Sequence, residues 1–197
     1  MARATPYDRE STLDAAMTLF WDKGYHATSL KDLEAALRMK PGSIYAAFRS
    51  KENLYLLALD RYYENSRQAF RQMIARADSP LTGLANHLRE FSSLSDSDAG
   101  RQACMLTKSL IDTRSTDPAI AERARQHLRA MRGEIAGAFE SAIRLRELPE
   151  DADPERLAHR YQANVTALRL ELHQGTAHAD LHALAEDMAR EVETLRS

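Results

Sequence analysis

The sequence is poor in residues that build rigid or reactive frameworks. It holds one cysteine, Cys104, with only seven glycines and six prolines. A single cysteine excludes an internal disulfide and a cysteine-rich zinc site. So few helix breakers, with β-branched residues scarce beside Ala, Leu, Arg and Glu, predict helix nearly throughout. No apolar run approaches the ~20 residues that cross a bilayer. The start, MARATPYDRE, lacks the apolar core of a signal peptide, which points to a cytoplasmic protein. No glycine-rich phosphate loop and no acidic metal cluster appears. Cys104 has no histidine beside it in sequence, so a nucleophile with a positioned base is missing. An enzyme is therefore not expected, and no cofactor is called for.

What remains is an ordinary folding composition, 44% hydrophobic and 28% charged. At 197 residues the chain could form one large domain, or a small one and a medium one. Its net charge of −2 excludes a chain coated in cations. The charge is uneven, however. Residues 1–51 carry eight Lys/Arg against six Asp/Glu, and the remainder nineteen against twenty-three. A slightly basic head on an acidic body suits a protein that presents one end to phosphates.

The stretch Thr28–Lys51, TSLKDLEAALRMKPGSIYAAFRSK, organises the rest. Ser29 can cap a helix, with Asp32 three residues on at the capping-box position. Leu30, Leu33 and Leu37 then recur at helical spacing. Arg38, Met39 and Lys40 make a turn. Pro41 lacks an amide hydrogen and has a preset φ, so it suits the first position of a second helix, Pro41–Phe48. Ile44 and Phe48 would be buried, four residues apart. Lys40, Ser43 and Tyr45 are left on the other face. A helix so short is barely stable alone, so its neighbours must hold it out.

GYHATSLKDLEAALRMKPGSIYAAFRSKENL closely resembles the helix-turn-helix segment of TetR-type transcriptional regulators, over Asp8 to about Leu57. The marks are the Thr-Ser pair, Gly-Ser-Ile-Tyr followed by Phe48, and Ser-Lys-Glu opening a fourth helix. The resemblance implies a dimeric, ligand-responsive regulator, a repressor by expectation, that binds double-stranded DNA. It implies an N-terminal three-helix head (residues 1–50) joined by a long fourth helix to a larger helical body (51–197), about nine helices in all. Thr28, Ser29, Tyr45 and Lys51 match positions that usually touch phosphate. Lys40, Gly42 and Ser43, with Pro41 beginning their helix, match positions near base edges. Ala46 and Ala47 offer only methyl groups, suited to thymine. Arg38 stands where the family usually has glycine; it would strain a left-handed turn, unless the turn differs, and could add a phosphate contact.

Elsewhere the periodicity predicts helices over about Asp8–Lys23 (closed by Gly24), 50–76, Pro80–Ser95, Arg101–Thr113, 118–146, Pro154–Gln174 and Ala179–Leu195. The fourth has two apolar sides, as a connector between two bodies would. Arg3 in the frayed start could reach DNA but is better read as idle. SSLSDSDAG, 92–100, reads as a mobile polar segment. By resemblance alone the body holds an unidentified small-molecule effector, which Phe91, Met105, Met131, Phe139 and Tyr161 could line, each equally explicable as core. The stripes Leu157, Tyr161, Val165, Leu168, Leu172 and Leu181, Leu184, Met188, Val192 could pair with a second copy. Some regulators similar to this one sense oxidants through a cysteine in a comparable segment. Cys104, with Arg101 and Lys108 within a helical turn, could do so, although a small buried hydrophobe is the preferred reading. His178 and His182, with His173 nearby, lack the third and fourth ligands a metal needs. An effector-free architectural DNA binder is the remaining alternative.

Overall fold

The computed structural model describes residues 8–94, 103–113 and 117–196. Arg3, Arg101 and most of the 92–100 segment lie outside them. The described residues form nine α-helices and no strand: α1 (Arg9–Lys23), α2 (Leu30–Leu37), α3 (Pro41–Phe48), α4 (Lys51–Arg76), α5 (Pro80–Glu90), α6 (Met105–Thr113), α7 (Pro118–Arg144), α8 (Pro154–His173) and α9 (His178–Glu193). Among the described residues the chain adopts the expected all-α architecture of about nine helices.

Local chemistry sets the helix ends. The Asp8 carboxylate accepts the Glu10 amide at the start of α1, and Gly24, at φ 80°, closes it. Asp153 accepts the Arg156 amide ahead of Pro154 to open α8. Two boundaries differ from the spacing prediction. α5 stops at Glu90 and tightens into a 3-10 turn over Phe91–Ser93. There Ser92 Oγ donates to Arg89 O at 2.7 Å and Ser93 Oγ to Glu90 O at 2.8 Å, so hydroxyls occupy carbonyls that would continue the helix. α6 begins only at Met105, which leaves Cys104 ahead of it.

The chain forms two compact units: Met1–Glu64 with Met105–His127, and Asn65–Cys104 with Leu128–Ser197. In the first, Phe20 packs edge-on against Tyr55 at 4.8 Å and Trp21 against Tyr62 at 4.9 Å. Arg61 ties α4 to α1 through Asp14 at 2.7 Å and Glu10 at 2.6 Å. α6 belongs to this unit. Lys108 Nζ donates to Trp21 O at 2.8 Å and Asp22 O at 3.3 Å, a cation on the last carbonyls of α1. Ser109 donates to Met105 O, so the 2.7 Å bond with Tyr55 has the phenol as donor.

The second unit is built on α5, α7, α8 and α9. Its buried cluster includes Leu84, Leu88, Phe91, Phe139, Tyr161, Leu168, Leu181 and Ala185. Arg89 on α5 clamps α9 through Glu186 and Glu193, both at 2.7 Å. Tyr161 donates to Leu84 O at 2.9 Å, so its oxygen accepts from His87 Nδ1 at 2.8 Å. Among the described residues no helix is long and apolar enough to cross a membrane.

Candidate nucleic-acid interface

The capping box predicted for α2 is present. Asp32 N donates to Ser29 Oγ at 3.1 Å, and Ser29 N donates back to the Asp32 carboxylate at 2.8 Å. That carboxylate also receives the Ser29 hydroxyl and Lys23 Nζ, each at 2.6 Å. The lysine, then the serine, hold its pKa well below the usual carboxylate range. α2 is thereby fixed at its N-terminus, where backbone amides and dipole favour an anion.

α2 ends on Arg38, at φ 52° and ψ 36°. The left-handed turn suggested by the missing glycine is real, and the arginine occupies it. That conformation costs a non-glycine residue on the order of 1 kcal/mol. Arg38→Gly is therefore expected to stabilise this unit by about 1 kcal/mol, read from Trp21 fluorescence in a denaturant titration. A lower stability would mean the Arg38 side chain packs where its exposure says it does not.

α3 starts at Pro41 without a side-chain cap. Ile44 and Phe48 are 2% and 1% exposed, while Tyr45 keeps 44% of its surface. Lys40, Gly42, Ser43 and Ala46 are exposed, Pro41 and Ala47 half-buried. A Cβ added at Gly42 would meet nothing within 4 Å, so the bare backbone there serves no packing inside the chain. It leaves the outer face of α3 low, as close approach by a partner requires. The outward set thus combines a cation, two hydroxyls, a bare backbone and methyl groups on one short helix, which can touch phosphates and base edges.

The predicted residues flanking α3 are placed unevenly. Ser29 and Arg38 are exposed. Thr28 is 1% exposed, and its hydroxyl donates to Gly24 O at 2.7 Å, so that donor is committed inside the head. Lys51, at the start of α4, rests its Nζ 4.7 Å from the Tyr25 ring centroid. Burial lowers its pKa, against the fields of Asp117 and Asp32. Sequence reading missed Arg9, whose guanidinium lies 5.5 Å from the Phe48 ring centroid, and the 3.2 Å pair of His26 Nε2 with Asp117. No periodicity marks either one.

Of the residues expected to line an effector site, Phe91, Met131, Phe139 and Tyr161 meet in or against the core of the second unit. Met105 is buried and belongs to the first. Cys104 is a free, half-buried thiol. Lys108 is turned to the end of α1, and Arg101 lies outside the described residues. Of the stripe expected to pair with a second copy, Tyr161, Leu168, Leu181 and Val192 are buried within one chain. Leu157, Val165, Leu172, Leu184 and Met188 are half-buried. Leu170, which the stripe omitted, is 58% exposed. His178 and His182 lie with ring centroids 6.4 Å apart. No group of three or more metal-capable residues occurs among the described residues.

Comparison with known proteins agrees with this geometry. Residues 13–58 match the bacterial regulatory proteins of the tetR family, and 80–192 match the tetracyclin repressor-like C-terminal domain. The repressor ComR of Escherichia coli K12 is 48% identical over 62 residues, 32% of this chain and 30% of ComR. The repressor BdcR of the same strain is 30% identical over 122 residues, 61% of this chain and 60% of BdcR. The chain thus spans less than two thirds of these curated relatives. A cysteine-substituted CifR solved with 26-bp double-strand operator DNA is 31% identical, covering 95% of this chain and 98% of that one, at a TM-score of 0.76. A regulator from Cytophaga hutchinsonii shares the fold at 20% identity and a TM-score of 0.83, over 95% of this chain and 94% of its own. These relatives are transcriptional regulators rather than enzymes, and this chain belongs to the TetR family of bacterial regulatory proteins.

Proposed function

We propose that this chain is a cytoplasmic, dimeric repressor that grips a pseudo-palindromic operator and lets go when a small molecule binds its body. The observation that carries the reading is α3: anchored by Ile44 and Phe48, it turns Lys40, Ser43 and Tyr45 outward over the bare backbone of Gly42. Residues 1–50 carry DNA recognition, and residues 51–197 carry effector binding and dimerisation. Lys40, Pro41, Gly42 and Ser43 approach base edges. Ser29, Arg38, Tyr45 and Lys51 meet phosphates, with Thr28 serving mainly to close the α1–α2 corner. Removing the Arg38 guanidinium, in the glycine variant above, lowers the salt slope of binding by about one. Affinity and stability then move in opposite directions.

Pairing of the α8 and α9 faces of two copies, through Leu157, Val165, Leu172, Leu184, Met188 and the exposed Leu170, forms a four-helix interface. The two α3 helices then enter major grooves about 34 Å apart, or a multiple of that. The effector acts on the buried cluster of Phe91, Met131, Phe139 and Tyr161. The ligand-released reading is preferred to electrophile sensing at Cys104, because the Lys108 ammonium is bound to the Trp21 and Asp22 carbonyls at the end of α1.

The test is a gel shift on DNA from upstream of the protein's own gene, with sedimentation of the complex and a screen of small molecules. Two copies per duplex, released by a molecule, is the expected result. Binding that no molecule relieves favours an effector-free DNA binder. No binding at low salt removes the reading.

A further inference from the structure

The corner where α2 and α4 begin carries an acid that the sequence does not place there. Asp117 precedes α7, and its amide donates to Thr113 O at 2.9 Å, which seats it at the end of α6. α6 is in turn fixed to α1 by Lys108 and to α4 by Tyr55. The Asp117 carboxylate is therefore held in place, 3.2 Å from His26 Nε2. The His26 ring lies 5.2 Å from that of Tyr25, and Tyr25 lies under the Lys51 ammonium. Asp117 acts on both of Tyr25's neighbours: it pairs with the histidine, and its field favours the lysine cation and disfavours the ionised phenol. Other charges face the corner: Glu52, which acts on Tyr25, Asp32, which is occupied by Lys23 and Ser29, and Asp112, whose carboxylate lies beside Gly24.

A cation at a helix N-terminus, as Lys51 is at the start of α4, is where a nucleic-acid phosphate is well held. A fixed carboxylate beside it offsets its charge, occupies the His26 ring and repels that phosphate. We propose that Asp117 is a charge counterweight on the DNA-binding face, which through His26 and Lys51 lowers affinity for any duplex without reading its sequence. The proposal rests on the DNA-binding reading above. It makes Asp117 an affinity-setting residue that does not itself touch a base.

The test is Asp117→Asn in the full chain. Asparagine also suits the residue before a helix, so α7 keeps its start. Binding is measured by fluorescence anisotropy against salt, on the protein's own upstream duplex and on a scrambled duplex of equal length. Both should bind roughly three- to tenfold tighter at low salt, with a steeper salt slope and an unchanged ratio between them. In a Lys51→Met, His26→Gln background the same substitution should lose most of its effect. Equal or weaker binding by Asp117→Asn overturns the proposal. So does a gain confined to one duplex, or one that survives loss of both the Lys51 and the His26 side chains. Wild type failing to bind either duplex instead removes the DNA-binding reading itself, so the two failures are distinguishable.

Discussion

Phe48→Ala is expected to unfold the head and abolish operator binding together. Phe48 is 1% exposed and is the last residue of an eight-residue helix. Its carbonyl accepts Ser50 N at 2.8 Å and Asn53 Nδ2 at 3.0 Å, so it also sets the corner into α4. A buried Phe→Ala change costs about 3–5 kcal/mol through lost transfer energy and the cavity left behind. α3 has no side-chain cap and only Ile44 besides Phe48 to hold it, so little else resists the loss. The single tryptophan lies in the same unit, edge-on to Tyr62, and its fluorescence reports the transition. A variant whose Trp21 signal melts as wild type would show that α3 is held by something other than this anchor.

The body should weaken in mild acid, and His87 is the cause. Its ring is enclosed by Phe70, Phe91 and Tyr161, and Nδ1 donates to the tyrosine oxygen. Burial first, then the charge of Arg169, push its pKa down to about 3. The unfolded chain takes that proton near pH 6.5. The folded state is the poorer proton binder, so its stability is full above pH 6.5 and falls as the pH drops toward 3. The slope is about 1.4 kcal/mol per pH unit, or on the order of 2 kcal/mol between pH 6.5 and 5. Below about pH 4.5 a further loss begins as Glu186, held down to about 2 chiefly by Arg89, is titrated. His87→Gln keeps a donor for Tyr161 and removes the titration. Calorimetric stability of the variant should be flat from pH 6.5 to 5 where wild type declines. Parallel decline in both would place the titrating group elsewhere.

Much of the head was legible because its rules are local. The Ser29–Asp32 box, Pro41 opening α3, Gly24 closing α1, and the i, i+4 pair of Ile44 and Phe48 each act within a turn or two of helix, and spacing reveals them. The left-handed Arg38 was legible as a mismatch between residue and expected turn. What stayed hidden depends on partners far apart in sequence. Nothing in RQACMLTKS says that Lys108 turns to carbonyls more than eighty positions earlier. Nothing in the spacing tells a stripe residue buried in its own chain, such as Leu168 or Leu181, from one left half-buried, such as Leu184 or Met188. The same limit hid His87, whose meaning comes from Tyr161, and Asp117, whose meaning comes from His26. Helix ends were legible where a cap or proline marks them, as at Pro154, and misread after α5, where two serines take the carbonyls.

The outer face of α3 is the proposed grip on DNA, and one comparison tests it directly. Lys40, Ser43 and Tyr45 are changed together to alanine, and anisotropy is measured on the upstream duplex beside thermal unfolding. All three side chains are exposed, so unfolding should match wild type while binding falls to the level of scrambled DNA. Wild-type affinity in the triple variant would contradict the account, because the duplex would then be held by some other surface.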